Sequence, residues 1–231
     1  MRSDMNNNNK ERLDNISKHY DNLDFAKQNF REKRAKTYFE WVWDKEFVIT
    51  MSYLTDFISQ GKNLKALDIG CSSGRYTKAL IAKGVDGVGI DTSEIALSCA
   101  RKWVPDGNFI CASITKLPFD RESFDIVICM ELFCHLPDEI LEESLEEISK
   151  VIKPGGFFIF DIKNKLNPVL NLAYKRADST EFTLKARSVR ELTEMVEAKG
   201  FKVVAKKGIF FPIPILAPYV ICCSIKEESV K

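Results

Sequence analysis

The loop Asp68-Ile69-Gly70-Cys71-Ser72-Ser73-Gly74 has the residue types and spacing best suited to chemistry. It follows a short apolar run and precedes a stretch with helical periodicity. Small residues at Gly70, Ser72 and Gly74 let a ligand approach the backbone closely and permit positive φ. The start of the following helix supplies free N–H groups and a positive potential, which favour a carboxylate or a phosphate. The loop therefore predicts a cofactor site.

Asp91 ends the next apolar run, where a carboxylate can accept both hydroxyl groups of a ribose. Loop and acid on successive strand ends predict a cofactor that contains adenosine. A dinucleotide fingerprint fits poorly, because Ser72 and Arg75 stand where its second and third glycines belong. A nucleotide-dependent oxidoreductase is thus the disfavoured alternative. A Walker A loop is excluded, since the sequence contains no Gly-Lys-Ser or Gly-Lys-Thr.

Two titratable residues follow the apolar run that ends at Cys129. His135 is a candidate general base, but it could also fix the loop before Pro137 or line the pocket passively. Glu131 is a second candidate base, which could instead bind a cationic acceptor or be a solvated loop carboxylate. The sequence leaves these alternatives open.

Strands and helices alternate from residue 64 onward, which would bring these residues to one edge of a sheet. Apolar runs predict strands at 64–69, 85–90, 108–111, 124–129, 157–162, 201–205 and 219–225. Helical periodicity and caps predict helices at 75–83, 93–102, about 140–152 and from Ser188 to Gly200. The fold class is therefore α/β: a Rossmann-like, doubly wound, mainly parallel seven-stranded sheet with helices on both faces.

The rest of the chain divides into smaller segments. Residues 1–12, which are polar and include four consecutive asparagines, predict a disordered tail. Residues 13–62 predict a helical cap, and residues 63–231 form the α/β domain. Within the cap, one helix face is predicted at Phe47, Met51, Leu54 and Ile58, with Gly61 as its stop.

Charge and cysteine content limit the possible partners. The formal charge is +1, from 34 basic and 33 acidic residues, which leaves no electrostatic footprint for nucleic acid or an anionic membrane. The seven cysteines show no CxxC pair, so we expect reduced thiols and no metal site. Without a signal peptide or an apolar run of about 20 residues, a soluble cytoplasmic protein is expected.

Five blocks in order resemble the class I S-adenosylmethionine-dependent methyltransferases, especially their small-molecule branch. They cover about residues 64 to 165 in register. The blocks are Leu67 to Thr77, Gly89-Ile90-Asp91-Thr92-Ser93, Leu117-Pro118-Phe119 with Ser123 to Val127, His135-Leu136-Pro137-Asp138, and Val151-Ile152-Lys153-Pro154-Gly155-Gly156.

The resemblance implies roles for the loop in holding S-adenosylmethionine. Backbone at Gly70 and Ser72 would line its methionine part, together with the intervening Cys71 and the closing Gly74. Asp68 would orient the amino group of the cofactor, directly or through water. Arg75 could pair with its carboxylate or be solvated.

Further roles fall on the later strand ends. Asp91 would hold the ribose, and Thr92 would flank the adenine. Ser113 and Ile114 would meet the adenine edge. The segment Cys129-Met130-Glu131 would lie under the sulfonium. Tyr20 would either fold over the cofactor or pack within the cap.

Two departures from the family pattern keep a second function open. Ser72 stands where the family often has glycine, and Ser113 stands where it often has aspartate or asparagine. The alternative is a protein that binds S-adenosylmethionine without turnover. A nucleic-acid methyltransferase is less expected, because Cys129-Met130-Glu131-Leu132 replaces the Pro-Pro-aromatic motif of those relatives.

The acceptor is expected to be a small molecule methylated on O, N or C. An insertion at about 164–183, which contains Tyr174, Lys175 and Arg176, would build a substrate lid. The proline-rich apolar stretch at 209–218 predicts a loop. That loop is either an apolar wall for a lipid-like, quinone or aromatic acceptor, with peripheral lipid contact, or a segment packed on its own domain.

Overall fold

The computed structural model describes residues 21, 38–170, 172 and 185–228. Its strands are β1 (Lys65–Ile69), β2 (Asp86–Asp91), β3 (Asn108–Cys111), β4 (Phe124–Cys129), β5 (Ile152–Lys163), β6 (Phe201–Ile209) and β7 (Tyr219–Lys226). Its helices are α1 (Tyr38–Gln60), α2 (Arg75–Ile81), α3 (Glu94–Trp103), α4 (Asp138–Val151) and α5 (Val189–Glu197). Short 3-10 turns span Phe133–His135 and Pro214–Leu216.

Within the described residues the strands form one sheet in the order β3-β2-β1-β4-β5-β7-β6. Strands β1 to β5 pair in parallel, whereas β7 is antiparallel to both β5 and β6. The predicted Rossmann-like, mainly parallel α/β sheet is confirmed. Because β6 is antiparallel to β7, it runs in the same direction as β1 to β5. The carboxyl ends of these six strands therefore meet at one edge of the sheet.

Helices cover both faces of the sheet, as the near-continuous apolar strands predict. On β4, Ile126 and Ile128 pack with α1 and α2, while Val127 and Cys129 pack with α4 and α5. Successive side chains of a strand point to opposite faces, so one apolar strand supplies both cores. This double burial fixes the sheet that carries the site.

The predicted face of α1 packs on the core. Met51 and Leu54 are buried, and Phe47 and Ile58 are partly buried against the same cluster. The buried stripe is wider than predicted, because it also includes Val42, Ile49 and a charged residue, Glu46. Apolar periodicity could not indicate Glu46, whose carboxylate pairs with Lys163.

Two strands are longer than predicted. β5 begins at Ile152, so Lys153-Pro154-Gly155-Gly156 lies within it instead of separating it from α4. The register shifts there, because Phe124 faces Ile152 whereas Ile126 faces Phe157. That irregularity accommodates the proline, which cannot donate in a regular ladder. β6 runs on to Ile209 because β7 pairs with its second half.

The predicted insertion is described only in part. Asn164 forms an isolated parallel bridge with Arg187, and residues 168–170 are helical. Tyr174, Lys175 and Arg176 lie outside the described residues, as does the predicted tail. Of the predicted cap, only residue 21 and the segment from residue 38 onward are described.

Candidate active site

A cavity of about 270 Å³ opens at the carboxyl edge of the sheet. The loops after β1, β2, β3 and β4 form its walls, and α1 contributes Trp43 and Glu46. Most predicted site residues meet here, as the strand-end positions require. Those that line the cavity are Asp68, Gly70, Cys71, Ser72, Arg75, Asp91, Thr92, Ser113, Ile114, Met130, Glu131 and His135.

Two of the described site residues are not part of this wall, and the predicted Tyr20 lies outside the described residues. Cys129 is fully buried in the core, and Gly74 caps the start of α2. A Cβ on Gly74 would lie 2.8 Å from Cζ of Phe109, so glycine there serves close packing between the loop and β3. Cys129 and Gly74 thus pack against protein, and their expected contact with the cofactor stays a prediction.

The loop after β1 is tied to β2 through its backbone. The N–H groups of Gly70 and Cys71 both donate to the carbonyl of Ile90, at 2.9 Å each. φ is positive at Gly70 (70°), Ser72 (46°) and Gly74 (83°). Ser72 therefore adopts the left-handed conformation that glycine adopts more readily, which explains why glycine suits this position.

Asp91 braces this loop from β2. Its Oδ2 accepts the backbone N–H of Ser72 at 2.9 Å, and its Oδ1 accepts that of Ser93 at 2.9 Å. Burial raises the pKa of Asp91, although these two N–H donors lower it. The Ser93 hydroxyl in turn donates to Oδ1 of Asp21 at 2.6 Å. The carboxylate thus organises the cavity wall as well as facing the cavity.

Asp68 is buried at the end of β1 and holds the start of α2. Its Oδ2 accepts from both the backbone N–H (3.0 Å) and the hydroxyl (2.7 Å) of Thr77. Burial raises the pKa of Asp68 to about 6, against the opposing effect of these hydrogen bonds. The carboxyl group is therefore firmly positioned at the cavity.

Arg75 is engaged by α1. Its Nη2 lies 2.7 Å from Oδ1 of Asp44, and its guanidinium stacks 4.5 Å from the ring centre of Phe47. Neither of the predicted states, a cofactor contact or a solvated side chain, describes this arrangement fully. The contacts fasten α1 over the cofactor loop.

The loop after β3 provides a small polar group beside an apolar one. The hydroxyls of Ser113 and Thr115 lie 2.9 Å apart, and Ile114 is buried. Thr92, at the end of β2, is exposed along the same wall. Such a mixture suits the flat apolar faces and polar edges of a nucleobase.

A buried charge cluster lies next to the cavity. Lys163, at the end of β5, places Nζ 3.3 Å from Oε1 of Glu46 and 3.2 Å from Oδ2 of Asp161, and it donates to Glu131. The carboxylate oxygens of these three acids lie within 4.8 Å of one another. That is close enough for a metal site, but the ammonium group of Lys163 already provides the cation.

The backbone of Glu131 is also constrained. Its φ is 60°, an uncommon value for a residue other than glycine, and its N–H donates to Oδ1 of Asp161 at 2.5 Å. Conformations of this kind persist when the surroundings impose them, and they concentrate at functional sites. The side chain remains 35% exposed, so Glu131 connects the buried cluster with the cavity.

His135 lies in the 3-10 turn after β4, and it is buried. Arg187 fixes this segment: its guanidinium donates to the carbonyls of Phe133 (2.7 Å) and Leu136 (2.6 Å) and pairs with Asp138 at 2.7 Å. His135 is consequently held in place at the cavity, whichever of its predicted roles it has.

Several residues of this site were missed by the sequence reasoning. Glu46, Asp161, Lys163 and Arg187 had no assigned role. Charged residues at 161 and 163 close an otherwise apolar strand, and that pattern could have drawn attention to them. Ser73 was missed as well: it is fully buried at the cavity wall, and its Oγ has no hydrogen-bond partner within the described part of the chain.

Residues 67–160 match a family model described as a methyltransferase domain. That stretch runs from β1 into β5 and supplies most of the cavity wall. The chain is an S-adenosylmethionine-dependent methyltransferase. Its methyl donor is S-adenosylmethionine.

Known proteins similar to this methyltransferase share both sequence and fold. It is 29% identical in sequence to the ubiquinone biosynthesis O-methyltransferase of Coxiella burnetii. The alignment covers 71% of this chain and 74% of that protein. An S-adenosylmethionine-dependent methyltransferase of Methanosarcina mazei superimposes with a TM-score of 0.65, at 19% identity, over 78% of this chain and 98% of that one. The magnesium protoporphyrin IX methyltransferase of Synechocystis, solved with S-adenosylhomocysteine, superimposes with a TM-score of 0.73 at 14% identity. That superposition covers 92% of this chain and 98% of that one. These two structures support the fold.

Across the described residues, no helix of the methyltransferase combines the length and apolarity needed to cross a bilayer.

Proposed function

We propose that this methyltransferase moves the methyl group of S-adenosylmethionine to an oxygen atom of an apolar or aromatic small molecule. One observation carries the proposal: the cavity beside the cofactor loop also reaches two candidate proton acceptors, Glu131 and His135. A hydroxyl acceptor must lose a proton during transfer, so such groups suit oxygen chemistry. The name of the C. burnetii relative, an O-methyltransferase of ubiquinone biosynthesis, supports the same class.

The cavity wall fits the proposed cofactor. Asp91, Thr92, Ser113 and Ile114 line one wall of the cavity, where Asp91 would hold the ribose and the other three would surround the adenine. The buried, unpartnered hydroxyl of Ser73 is a donor that a cofactor carboxylate would satisfy. The backbone at Gly70 and Ser72, with positive φ, would line the methionine part, and Asp68, held by Thr77, would orient its amino group.

Bound S-adenosylmethionine supplies an activated methyl group on a sulfonium. The chain's own contribution is chiefly alignment, since well-oriented reactants gain effective molarities of about 10⁵–10⁸ M. Met130 and Glu131 lie where the segment after β4 meets the cavity. Asp91 braces the loop after β1, which would hold the methyl donor. Arg187 holds the turn after β4, which would face the methyl acceptor, so the two sides of the cavity keep a fixed relative position.

An exposed apolar surface at the same sheet edge favours an apolar acceptor. We call it the apolar patch, and its large side chains are about half exposed or more. The patch consists of Leu166, Val169, Leu172, Phe210, Phe211, Ile213, Ile215 and Leu216. Side-chain amides connect its two segments, because Asn164 donates to the carbonyl of Ile215 and Asn167 to that of Leu216, each at 2.9 Å.

Helix α1 contacts the patch and also lines the cavity. The ring of Trp41 lies 4.9 Å from that of Phe210, and Trp43 lines the cavity two residues further along. Contiguous exposed apolar surface of this kind marks contact with a lipid, a ligand or a protein. We therefore propose peripheral contact of 210–218 with a lipid-like acceptor or with the membrane that holds it.

The same proposal includes a cytoplasmic location and no nucleic-acid partner. All seven cysteines are free, in agreement with a reducing compartment. The balanced formal charge of +1 favours an uncharged acceptor over a polyanion.

Two measurements test the proposed function. Calorimetric titration should show binding of S-adenosylhomocysteine and none of NAD; binding of NAD alone would restore the oxidoreductase alternative. Radioactive methyl transfer should then label alkylated catechols and phenols in preference to alkylamines. Binding of S-adenosylhomocysteine with no labelling of either group would favour the binding protein without turnover.

A further inference from the structure

The cluster of Glu46, Glu131, Asp161 and Lys163 carries more negative than positive charge. Three carboxyl groups surround one ammonium group, and all except Glu131 are almost fully buried. Full ionisation would leave two uncompensated negative charges in a poorly solvated place, which is strongly unfavourable. The cluster therefore favours a state in which at least one of its buried carboxyl groups is protonated.

The directions of the pKa shifts agree with this view. Burial raises the pKa of Asp161 well above its usual range, and it also raises that of Glu46 despite the nearby Lys163. Burial lowers the pKa of Lys163, while Glu46 opposes the effect. Other titratable or charged groups facing the cluster are Arg75, Tyr76, Cys129, Cys134, Tyr219 and Cys222.

Exposure distinguishes Glu131 as the member that can reach an acceptor. Its side chain is 35% exposed at the cavity. Glu46 also lines the cavity but is almost fully buried, and Asp161 and Lys163 lie behind Glu131. Asp161 fixes its backbone, and the ammonium group of Lys163 holds its carboxylate. Lys163 is itself held by Glu46 and lies over the ring of Tyr219, 4.6 Å from its centre. One carboxylate is thus presented to the cavity by a rigid, buried support.

We propose that Glu131 removes the proton of the acceptor hydroxyl during methyl transfer, and that Lys163 is the positioning residue that holds its carboxylate at the cavity. The carboxylate takes the proton while the acceptor oxygen forms a bond to the methyl carbon. The carbon–sulfur bond breaks, and its electron pair stays on sulfur. The products are the methylated acceptor, S-adenosylhomocysteine and protonated Glu131, which then releases its proton to water. The inference rests on the proposed oxygen acceptor.

The test compares four variants on the full chain: Glu131→Gln, Lys163→Met, Lys163→Arg and the control Lys165→Met. Lys165 pairs with Glu191 at the surface, so the control removes a lysine from another lysine–glutamate pair. A 4-alkylcatechol serves as acceptor. Circular dichroism and the affinity for S-adenosylhomocysteine show that each variant is folded.

For Glu131→Gln we expect kcat/KM to fall by about 10²–10⁴ and the acidic limb of its pH profile to disappear. Lys163→Met should lower kcat with little change in KM. Its acidic limb should move to higher pH, because loss of a nearby positive charge disfavours the carboxylate form. Lys163→Arg should restore the limb in part, and Lys165→Met should match the wild-type protein. A purely structural lysine would not shift the profile.

Lys163→Met leaves buried carboxyls without their cation and could fail to fold. The double variant Glu46→Gln/Lys163→Met removes one carboxyl group together with the lysine, and it also shows how the pH profile changes without Lys163. Infrared difference spectra against the corresponding Glu131→Gln proteins give a reading that needs no turnover. They should show Glu131 ionising at higher pH when Lys163 is absent, and an unchanged midpoint would overturn the positioning role.

The remaining outcomes separate the two proposals. If the wild-type protein labels alkylcatechols but Glu131→Gln keeps the same rate and acidic limb, the role of Glu131 is wrong and the proposed function stands. If His135→Gln loses the limb instead, His135 is the base. If the wild-type protein binds S-adenosylhomocysteine but methylates no hydroxyl, both proposals fail.

Discussion

Oδ2 of Asp91 accepts a hydrogen bond from the backbone N–H of Ser72 at 2.9 Å. The acid at the end of β2 thereby fixes the loop after β1, in the stretch where Ser72 has a positive φ of 46°. A carboxylate expected to hold a ribose thus also shapes the surface on which the methionine part would lie. Ribose recognition and loop geometry depend on the same side chain.

Replacement of Asp91 by alanine should therefore weaken S-adenosylhomocysteine binding by at least about tenfold, or roughly 1.4 kcal/mol. The variant loses both the proposed ribose contact and the brace on Ser72. Isothermal titration calorimetry measures the effect. Asp86→Ala, an exposed acid at the other end of the same strand, is the control and should bind normally. Unchanged affinity in Asp91→Ala would remove Asp91 from the ribose role.

Asp68 should make the stability of the protein depend on pH. Its pKa is raised from 3.8 to about 6 by burial, so the folded state binds the proton more tightly than the unfolded state. Stability therefore falls as pH rises between these values, by about 3 kcal/mol at about 1.4 kcal/mol for each pH unit.

The variant Asp68→Asn lacks this titration. In urea unfolding at pH 4 to 7, the wild-type protein should lose stability relative to Asp68→Asn as the pH increases. The exposed Asp106→Asn serves as control, and its difference from the wild-type protein should stay constant across that range. A constant difference for Asp68→Asn as well would contradict the assigned shift.

Gly74 and Gly155 allow backbone strain to be separated from steric contact. Both have positive φ, 83° and 75°, but only at Gly74 would a Cβ meet a neighbour, at 2.8 Å from Phe109. Gly155→Ala should lower the free energy of unfolding by about 1 kcal/mol. Gly74→Ala should cost roughly 2–4 kcal/mol, because crowding adds to strain. Equal losses in urea denaturation would show that α2 and β3 adjust freely.

The apolar patch should bind lipid surfaces. Flotation with phosphatidylcholine–phosphatidylglycerol vesicles should recover the wild-type protein, and Phe211→Ser/Ile215→Ser should reduce recovery at least tenfold, since each side chain can contribute about 1.5–3 kcal/mol on burial. Ile95→Ser, which removes an exposed apolar side chain from α3, is the control and should float like the wild-type protein. Absence of the wild-type protein from the vesicle fraction would rule out the membrane-facing part of the proposal.

The sheet and the cofactor side of the cavity could be predicted because their signals are local. A strand buried on both faces is a nearly continuous apolar run, so the sequence predicts the bounds of β4 correctly, and the strand ends place Asp68 and Asp91 at one edge. The capping box of Ser188 and Glu191 likewise fixed the start of α5.

The charge cluster could not be predicted in the same way. Glu46 and Lys163 are separated by 117 positions, and no local pattern relates a helix acid to a strand lysine over that distance. For the same reason the burial of Glu46 on α1 could not be predicted, because periodicity counts only apolar residues.

The antiparallel pairing of β6 with β7 has a consequence for how this enzyme could change its acceptor. Parallel strands need long crossovers, whereas a hairpin is closed by a local connection whose length is free to vary. The connection at 210–218 can therefore change in length and sequence while the paired strands β6 and β7 stay the same. Under the proposed function, replacing this segment is expected to alter the choice of acceptor while β1, β2 and the cofactor loop stay unchanged.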